Sequence, residues 1–368
     1  MKKNHWKTCS SNPCTGVINV KPGLKPELII AEKEFRDHLS SKRFLVIFTV
    51  LLLLIVYGVY TGMNAYDQEL GQYKSLQSGE SPISDQNSIS ALQIQIQHAE
   101  ALGDNNTAQT LKEKLDSLTS PVMPSILEVF NSIIIIFTFL GMTLGASMGF
   151  DQISREREEG SIKFLAVSPL YRDSIINGKT LGAIATLAIA LAAAFLVMIA
   201  VVMFMGVIPG LDDLLRILIF YIMAVLYCSV FLSIAMTMSV ITKSTSMSVI
   251  CTIGIIAALL LFSVLGTALS SVIADQLSTN EYQVSDTISA ISPINDFGGT
   301  LWPGTGGIGQ AILNKTSAPQ GVSTSQSAPE LSLFDSLASV WVNILVLVVE
   351  IIIAFAISYV VFMRMDIR

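Results

Sequence analysis

A chain of 368 residues that is 52% hydrophobic, with a mean hydropathy of +0.62, carries more apolar surface than a soluble domain of its size needs. Only 14% of its residues are charged and the net charge is −6, which leaves no broad basic surface of the kind a nucleic-acid partner requires. The residues instead fall into repeated apolar runs of about 20, the length at which a helix crosses ~30 Å of hydrocarbon.

Taken in chain order, residues 1–26 read as a polar tail with Pro13, Pro22, Gly23 and Pro26. Cys9 and Cys14 lie there in "CSSNPC" near His5, a spacing too sparse in ligands for a metal site. "PELIIAEKEFRDHLSSKRF" then sets Leu28, Ala31, Phe35 and Leu39 at helical spacing among charged residues. That pattern predicts an amphipathic surface helix within a first segment, 1–43, ahead of a span at 44–63. No small-residue cleavage site follows the first apolar run, so it reads as a span that stays.

Residues 64–125 are acidic. Ile89, Leu92, Ile96 and Ala99, then Leu111, Leu115 and Leu118, recur every three or four residues around the turn-forming "GDNNT". This predicts a helical hairpin outside the membrane. A second span follows at 127–149, in which Gly141, Gly145 and Gly149 stand four apart on one face. In the third span, 179–208, Gly182, Thr186, Ala190 and Ala194 do the same. Such small-residue stripes let helices approach closely, either within one chain or between two subunits.

The fourth span, 214–241, a short loop at 242–248, "TKSTSMS", and the fifth span, 249–273, follow. Residues 274–338 form a second outer segment rich in Ser, Thr, Gly and Pro. Its middle, "ISPINDFGGTLWPG", mixes aromatic and turn residues as a stretch returning to the membrane surface would. The sixth span is 339–363, and 364–368 close the chain. Asn105 and Asn314 head glycosylation sequons in the two outer segments.

The basic residues sort by side. Seventeen Lys and Arg fall in the tail, in 150–179, in the loop at Lys243 and after the sixth span, against five elsewhere. Basic loops are cytoplasmic. The expected fold is therefore all-α: a multi-pass cell-membrane protein in the lipid bilayer, with six transmembrane helices, both termini cytoplasmic and two large extracytoplasmic segments.

Two nucleotide motifs fail on context. "GTGGIG" at 304–309, with Glu330 downstream, matches a dinucleotide fingerprint in letters, but Trp302-Pro303 precedes it and a Ser/Thr-rich loop follows. "NGKT" at 177–180 is similar to the end of a Walker A loop, yet the position of that loop's first glycine holds Asp173. No cofactor is expected, and the chain is not expected to hydrolyse ATP or to act as an enzyme.

The most unusual stretch is "SREREEGSIKFLAVSP", where Arg155, Glu156, Arg157, Glu158 and Glu159 stand together between two spans. Mixed charge at a helix end is often only solvated. Here Ser168 and Pro169 begin a second short helix, so the segment predicts a charged bend at 150–178 joined to the second and third spans. "EREEGSIKFLAVSPLYRDSIINGK" resembles the loop between the second and third spans of ABC-2-type transporter permeases. Glu156, Arg157, Glu158, Gly160, Pro169, Arg172, Gly178 and Lys179 stand where that family's pattern has them. Ser161 replaces its usual Thr, Lys163 its acid and Tyr171 its Ser or Thr. The six spans, with large outer segments after the first and fifth, are similar to the multicopper-enzyme-maturation branch, the nitrous-oxide-reductase accessory permeases.

The resemblance implies a coupling helix at 153–168 that seats in a separate ABC ATPase subunit, within a homodimer or heterodimer of permease subunits that exports a substrate. The contact residues implied are Arg155, Glu156, Arg157, Glu158, Glu159, Gly160, Ser161, Pro169, Arg172 and Lys179. Rival readings are an ATP-driven mechanical device that passes no substrate, an ion-coupled transporter and a membrane anchor. The ion-coupled reading rests only on Glu350, a carboxylate ~16 Å into the last span with no cation at matching depth in the other spans.

Overall fold

The computed structural model describes residues 26–77, 83–101, 126–160, 172–277, 292–298 and 332–364, with isolated positions at 111, 112, 115, 308 and 312. Cys9, Cys14, Ser161, Pro169, the "GTGGIG" stretch apart from Ile308, both sequons and most of the second limb of the expected hairpin lie outside the described residues.

Every regular element among the described residues is helical. Helices α1 (Pro26–Leu39), α2 (Lys42–Gln77) and α3 (Ile83–Ala101) are followed by a 3-10 turn, Ile126–Phe130, that leads into α4 (Asn131–Gly149). Helix α5 (Ser154–Glu158) is the charged stretch. Then come α6 (Arg172–Phe204), α7 (Leu211–Ile241), α8 (Thr245–Leu277), α9 (Pro293–Gly298), α10 (Leu333–Ser339) and α11 (Trp341–Arg364). Six of these are long and apolar enough to cross a membrane: α2, the stretch from α4 through α5, α6, α7, α8 and α11.

Helix α7 is the centre of the bundle and packs against α4, α6, α8 and α11. Its most apolar window is 61% buried, against 17% for α8 and 11% for α11, whose Leu, Ile and Val side chains face outward as those of lipid-facing helices do. Glycines make the tight contacts possible. A Cβ on Gly145 would run into the Cys228 carbonyl oxygen, and one on Gly149 would lie 2.5 Å from that of Leu232. The stripe at Gly141, Gly145 and Gly149 thus faces α7 of the same chain. Of the stripe in the third span, Gly182 faces α1 together with Gly178: Cβ atoms on Gly178 and Gly182 would lie 2.8 Å from Glu27 O and 2.7 Å from Ala31 O.

Two segments differ from their expected form. The helix that holds the first span does not stop near residue 63 but continues unbroken to Gln77, 36 residues in all. "PINDFG", in place of lying at a surface, forms α9, which is inserted in the bundle with Pro293, Ile294, Asn295, Asp296 and Phe297 all buried. Phe297 stacks on Phe220 and Tyr227, with ring centroids 5.5 and 4.4 Å away. The Asn295 side-chain oxygen accepts a hydrogen bond from Ser263 Oγ on α8. With five buried residues in six, α9 fills the space between α4, α7, α8 and α11 that a strictly six-helix packing would leave open.

Candidate functional site: the charged end of the bundle

Helix α1, the α4–α5 turn, the start of α6, the α7–α8 turn and the end of α11 meet at one end of the bundle. Charge gathers there because the sequence ends its apolar runs at these points, and every helix terminus leaves unpaired backbone groups to be satisfied.

The helix carrying "SRERE" is only five residues long, too short to be stable alone, and its neighbours hold it in place. Ile153 N and Ser154 N both donate to Ser239 Oγ on α7, at 3.0 and 2.9 Å. Ser239 is fully buried and in turn donates to Ser154 Oγ at 3.2 Å. At the other end Gly160 adopts φ +72 and its N–H donates to Arg157 O, a left-handed helix stop suited to glycine.

The charged side chains then divide. Arg157 donates from Nη1 to Thr242 O at 2.8 Å and from Nη2 to Val240 O at 3.1 Å, placing a cation on the negative C-terminal end of α7. Glu158 Oε2 accepts from Thr245 N at 3.1 Å and Thr245 Oγ1 at 2.7 Å, placing an anion on the positive N-terminal end of α8. Two adjacent residues of opposite charge thus read the two opposed helix ends of a single turn. Arg155 and Glu159 pair with each other at 2.9 Å on the exposed side, 61% and 57% accessible.

Glu156 points inward. Its Oε1 lies 2.8 Å from Lys179 Nζ, and that ammonium also lies 2.8 Å from Glu34 Oε1 on α1. Lys179 is 3% exposed, so one buried cation joins three elements: α1, α5 and α6. Burial raises the Glu34 carboxyl, but the Lys179 charge and hydrogen bond, with Lys33, outweigh it and hold the group below the usual carboxylate range. Beside it, Gln152 Nε2 lies 3.3 Å from His38 Nε2. Burial pushes His38 below its usual value against the pull of Glu34 and Asp151. Arg43 closes this corner by pairing with Asp151 at 3.1 Å and lying over the Phe150 ring. Arg172 donates to Met363 O at 3.3 Å, fastening the start of α6 to the end of α11.

The structure therefore brings Arg155, Glu156, Arg157, Glu158, Glu159, Gly160 and Lys179 into one assembly, with Arg172 at its edge. Sequence reasoning missed Glu34, Ser239, Thr242 and Thr245. For Glu34 a signal existed, since the i, i+4 pair Gly178/Gly182 brackets Lys179 and marks a close helix approach that would bury the lysine.

Glu350 lies apart, half-buried on α11. Asn343, Leu347 and Glu350 are spaced i, i+4, i+7 on one face, and Asn343 Nδ2 donates to Asp296 Oδ1 on α9 at 2.9 Å. Glu350 Oε2 and Asp296 Oδ2 are both buried and have no hydrogen-bond partner among the described residues. Those residues also contain no group of three or more His, Cys, Asp or Glu able to hold a metal ion.

A comparison with curated proteins gives no match. A family model described as ABC-2 family transporter protein matches residues 28–367, which spans α1 to the end of α11 and includes the whole charged assembly. The chain belongs to the ABC-2 transporter family and is a permease subunit of an ABC transporter.

Proposed function

We propose that this permease is an exporter subunit of the cell membrane, driven by a separate ATPase that docks on α5 and the residues following it, 153–168, and that it works beside a second permease chain. The basic bias of this end supports a cytoplasmic placement. The observation that carries the reading is the set of ties on α5: Ser239 and Arg157 to α7, Glu158 to α8, and Glu156 through Lys179 to α6 and α1. A push on so short and so firmly tied a helix moves four other elements, as force transmission from a soluble motor requires. Of the exposed charges of α5, Glu158 is tied to α8 while Arg155 and Glu159 are tied only to each other, and those two are the partner-contact residues in this reading.

The test follows from that division. Reversing Glu156 or Glu158 would break internal ties, whereas exchanging Arg155 and Glu159 (R155E/E159R) keeps their mutual pair and inverts the charges shown to a partner. The expected result is an intact, inserted permease that no longer co-purifies with its ATPase or no longer stimulates it. Wild-type behaviour in both assays removes the docking assignment.

A mechanical role without transport draws support from α2. At 1.5 Å per residue its 36 residues extend ~54 Å, well beyond a ~30 Å hydrocarbon core, so the helix can act as a lever into the outer segment. ATP-dependent movement of a probe near Gln77 with no substrate crossing proteoliposomes would favour it.

A further inference from the structure

Between the ends of α7 and α11 lies an open groove of about 370 Å³ lined by Arg157, Val240, Ile241, Val360, Val361 and Arg364. Four of the six lining residues are aliphatic, and they come from the last turns of two spans. The two cations stand where those spans leave the apolar zone. Arg157 is half-buried, and its two hydrogen bonds go to neutral carbonyls. Neither Arg157 nor Arg364 has a carboxylate partner among the described residues. A half-buried guanidinium whose described partners are neutral carbonyls retains an uncompensated part of its charge, and an anion beside it adds charge-assisted hydrogen bonds.

We propose that this groove binds one anionic phospholipid of the leaflet surrounding the charged end. Its phosphate would sit between Arg157 and Arg364, and its acyl chains would lie along Val240, Ile241, Val360 and Val361. The aliphatic wall selects a lipid over a soluble anion, and the arginines select an anionic headgroup over a zwitterionic one. Basic pockets between spans at a membrane surface bind acidic headgroups for this reason. The site is independent of ATPase docking on 153–168 except that Arg157 belongs to α5, so bound lipid would brace the α5–α7 contact.

The experiment uses the full chain in detergent with added phosphatidylglycerol or phosphatidylcholine, read by lipid retention in native mass spectrometry and by thermal shift. One phosphatidylglycerol should be retained per chain in preference to phosphatidylcholine, with a higher melting temperature. Arg364→Gln should weaken retention about fivefold, the effect of one basic residue at an anionic surface, and Arg364→Lys should restore most of it. Val361→Trp, which fills the groove without changing charge, should abolish retention. Arg36→Gln, an exposed arginine on α1 paired with Glu32, should leave it unchanged. Equal retention in all variants overturns the proposal. Displacement by millimolar inorganic phosphate with equal stabilisation also overturns it, because the site would then be a simple anion site.

Discussion

The ammonium of Lys179 lies 2.8 Å from the Glu156 carboxylate, although the two side chains are only 3% and 16% exposed. With Glu34 at the same distance, two carboxylates share one buried cation. Such an arrangement contributes less net stability than its distances suggest, because three charges leave water to form it. Its value is positional, since it fixes α1 and α5 against the start of α6. Lys179→Met would leave two carboxylates facing each other without a cation. We expect a loss of roughly 3–5 kcal/mol, the cost of breaking a buried ion pair from one side. The triple variant Glu34→Gln/Glu156→Gln/Lys179→Met should recover much of that stability but not the coupling of ATP hydrolysis to the spans. Melting temperature separates the first two effects, and ATPase stimulation reads the third.

Acidification should loosen the same corner. His38 has a folded value below 6.5, so the unfolded state binds its proton more readily; its contribution is full above about pH 6.5 and falls as pH drops through the folded value. Glu34 is likewise lowered from 4.5, and its contribution is full above about pH 4.5 and is lost as pH falls further. Both losses run toward acid, in successive windows. The groups facing His38 are Glu34 and Asp37 on α1, Asp151 on the α4–α5 turn and Lys179 on α6. Once the intrinsic fall of exchange rates with pH is divided out, the opening of α1 seen by hydrogen exchange should rise between pH 7 and 5 in the wild type. His38→Gln, which keeps a polar contact to Gln152 without a titrating group, should flatten that rise.

The turn at Gly160 offers a cleaner test of backbone conformation. A Cβ there would meet nothing within 4 Å, so only φ +72 opposes a substitution. Gly160→Ala should cost about 1 kcal/mol, as expected for a left-handed non-glycine residue, and Gly160→Asn less. Gly145→Ala should fail differently, because its Cβ meets the α7 backbone carbonyl of Cys228, which cannot rotate away. A cost of about 1–3 kcal/mol from overpacking is expected, seen as a lower melting temperature with an unchanged charged end.

Periodicity and hydropathy revealed the six long helices because each must satisfy its backbone internally and hide its apolar side chains from water. The inserted α9 was not legible, since "PINDFG" is six residues of turn-forming and apolar types whose burial depends on a cavity made by four other helices. Glu34 was hidden for a related reason. On its own helix it belongs to a polar pattern, and only the approach of Gly178 and Gly182 turns that face inward. The charged stretch was conspicuous as composition, but its division into inward ties and an outward pair is tertiary information. Arg216 also read as an ordinary outer-side basic residue. It is 1% exposed, pairs with Asp212 at 3.0 Å and donates to Ile312 O and Ser336 Oγ, which clamps these two residues of the stretch between α8 and α11 to the start of α7. Arg216→Lys keeps the charge but cannot reach three divergent acceptors. It should destabilise by about 2–3 kcal/mol, measurable as a lower melting temperature and faster proteolysis between residues 299 and 331.

The final prediction concerns Glu350. It shares a face of α11 with Asn343, whose amide is already committed to Asp296, and both acids keep a buried oxygen without a partner among the described residues. Glu350→Gln preserves the side-chain shape and adds an N–H donor on the face that presents Asp296. If the acid is only a packing element, the variant should fold at least as well as the wild type and support full ATP hydrolysis in the assembled transporter. If its charge or proton serves the substrate path, folding should still hold, because the glutamine keeps the side chain's shape and its neutral hydrogen-bonding capacity, while substrate-stimulated hydrolysis in proteoliposomes falls severalfold. Asp296→Asn is the companion, since Asn343 can still bond the amide oxygen, and a functional pair requires both single variants to lose activity in the same assay. We expect that joint loss with melting temperatures kept near the wild-type value. Full activity in either variant would leave the two carboxylates with a structural role alone.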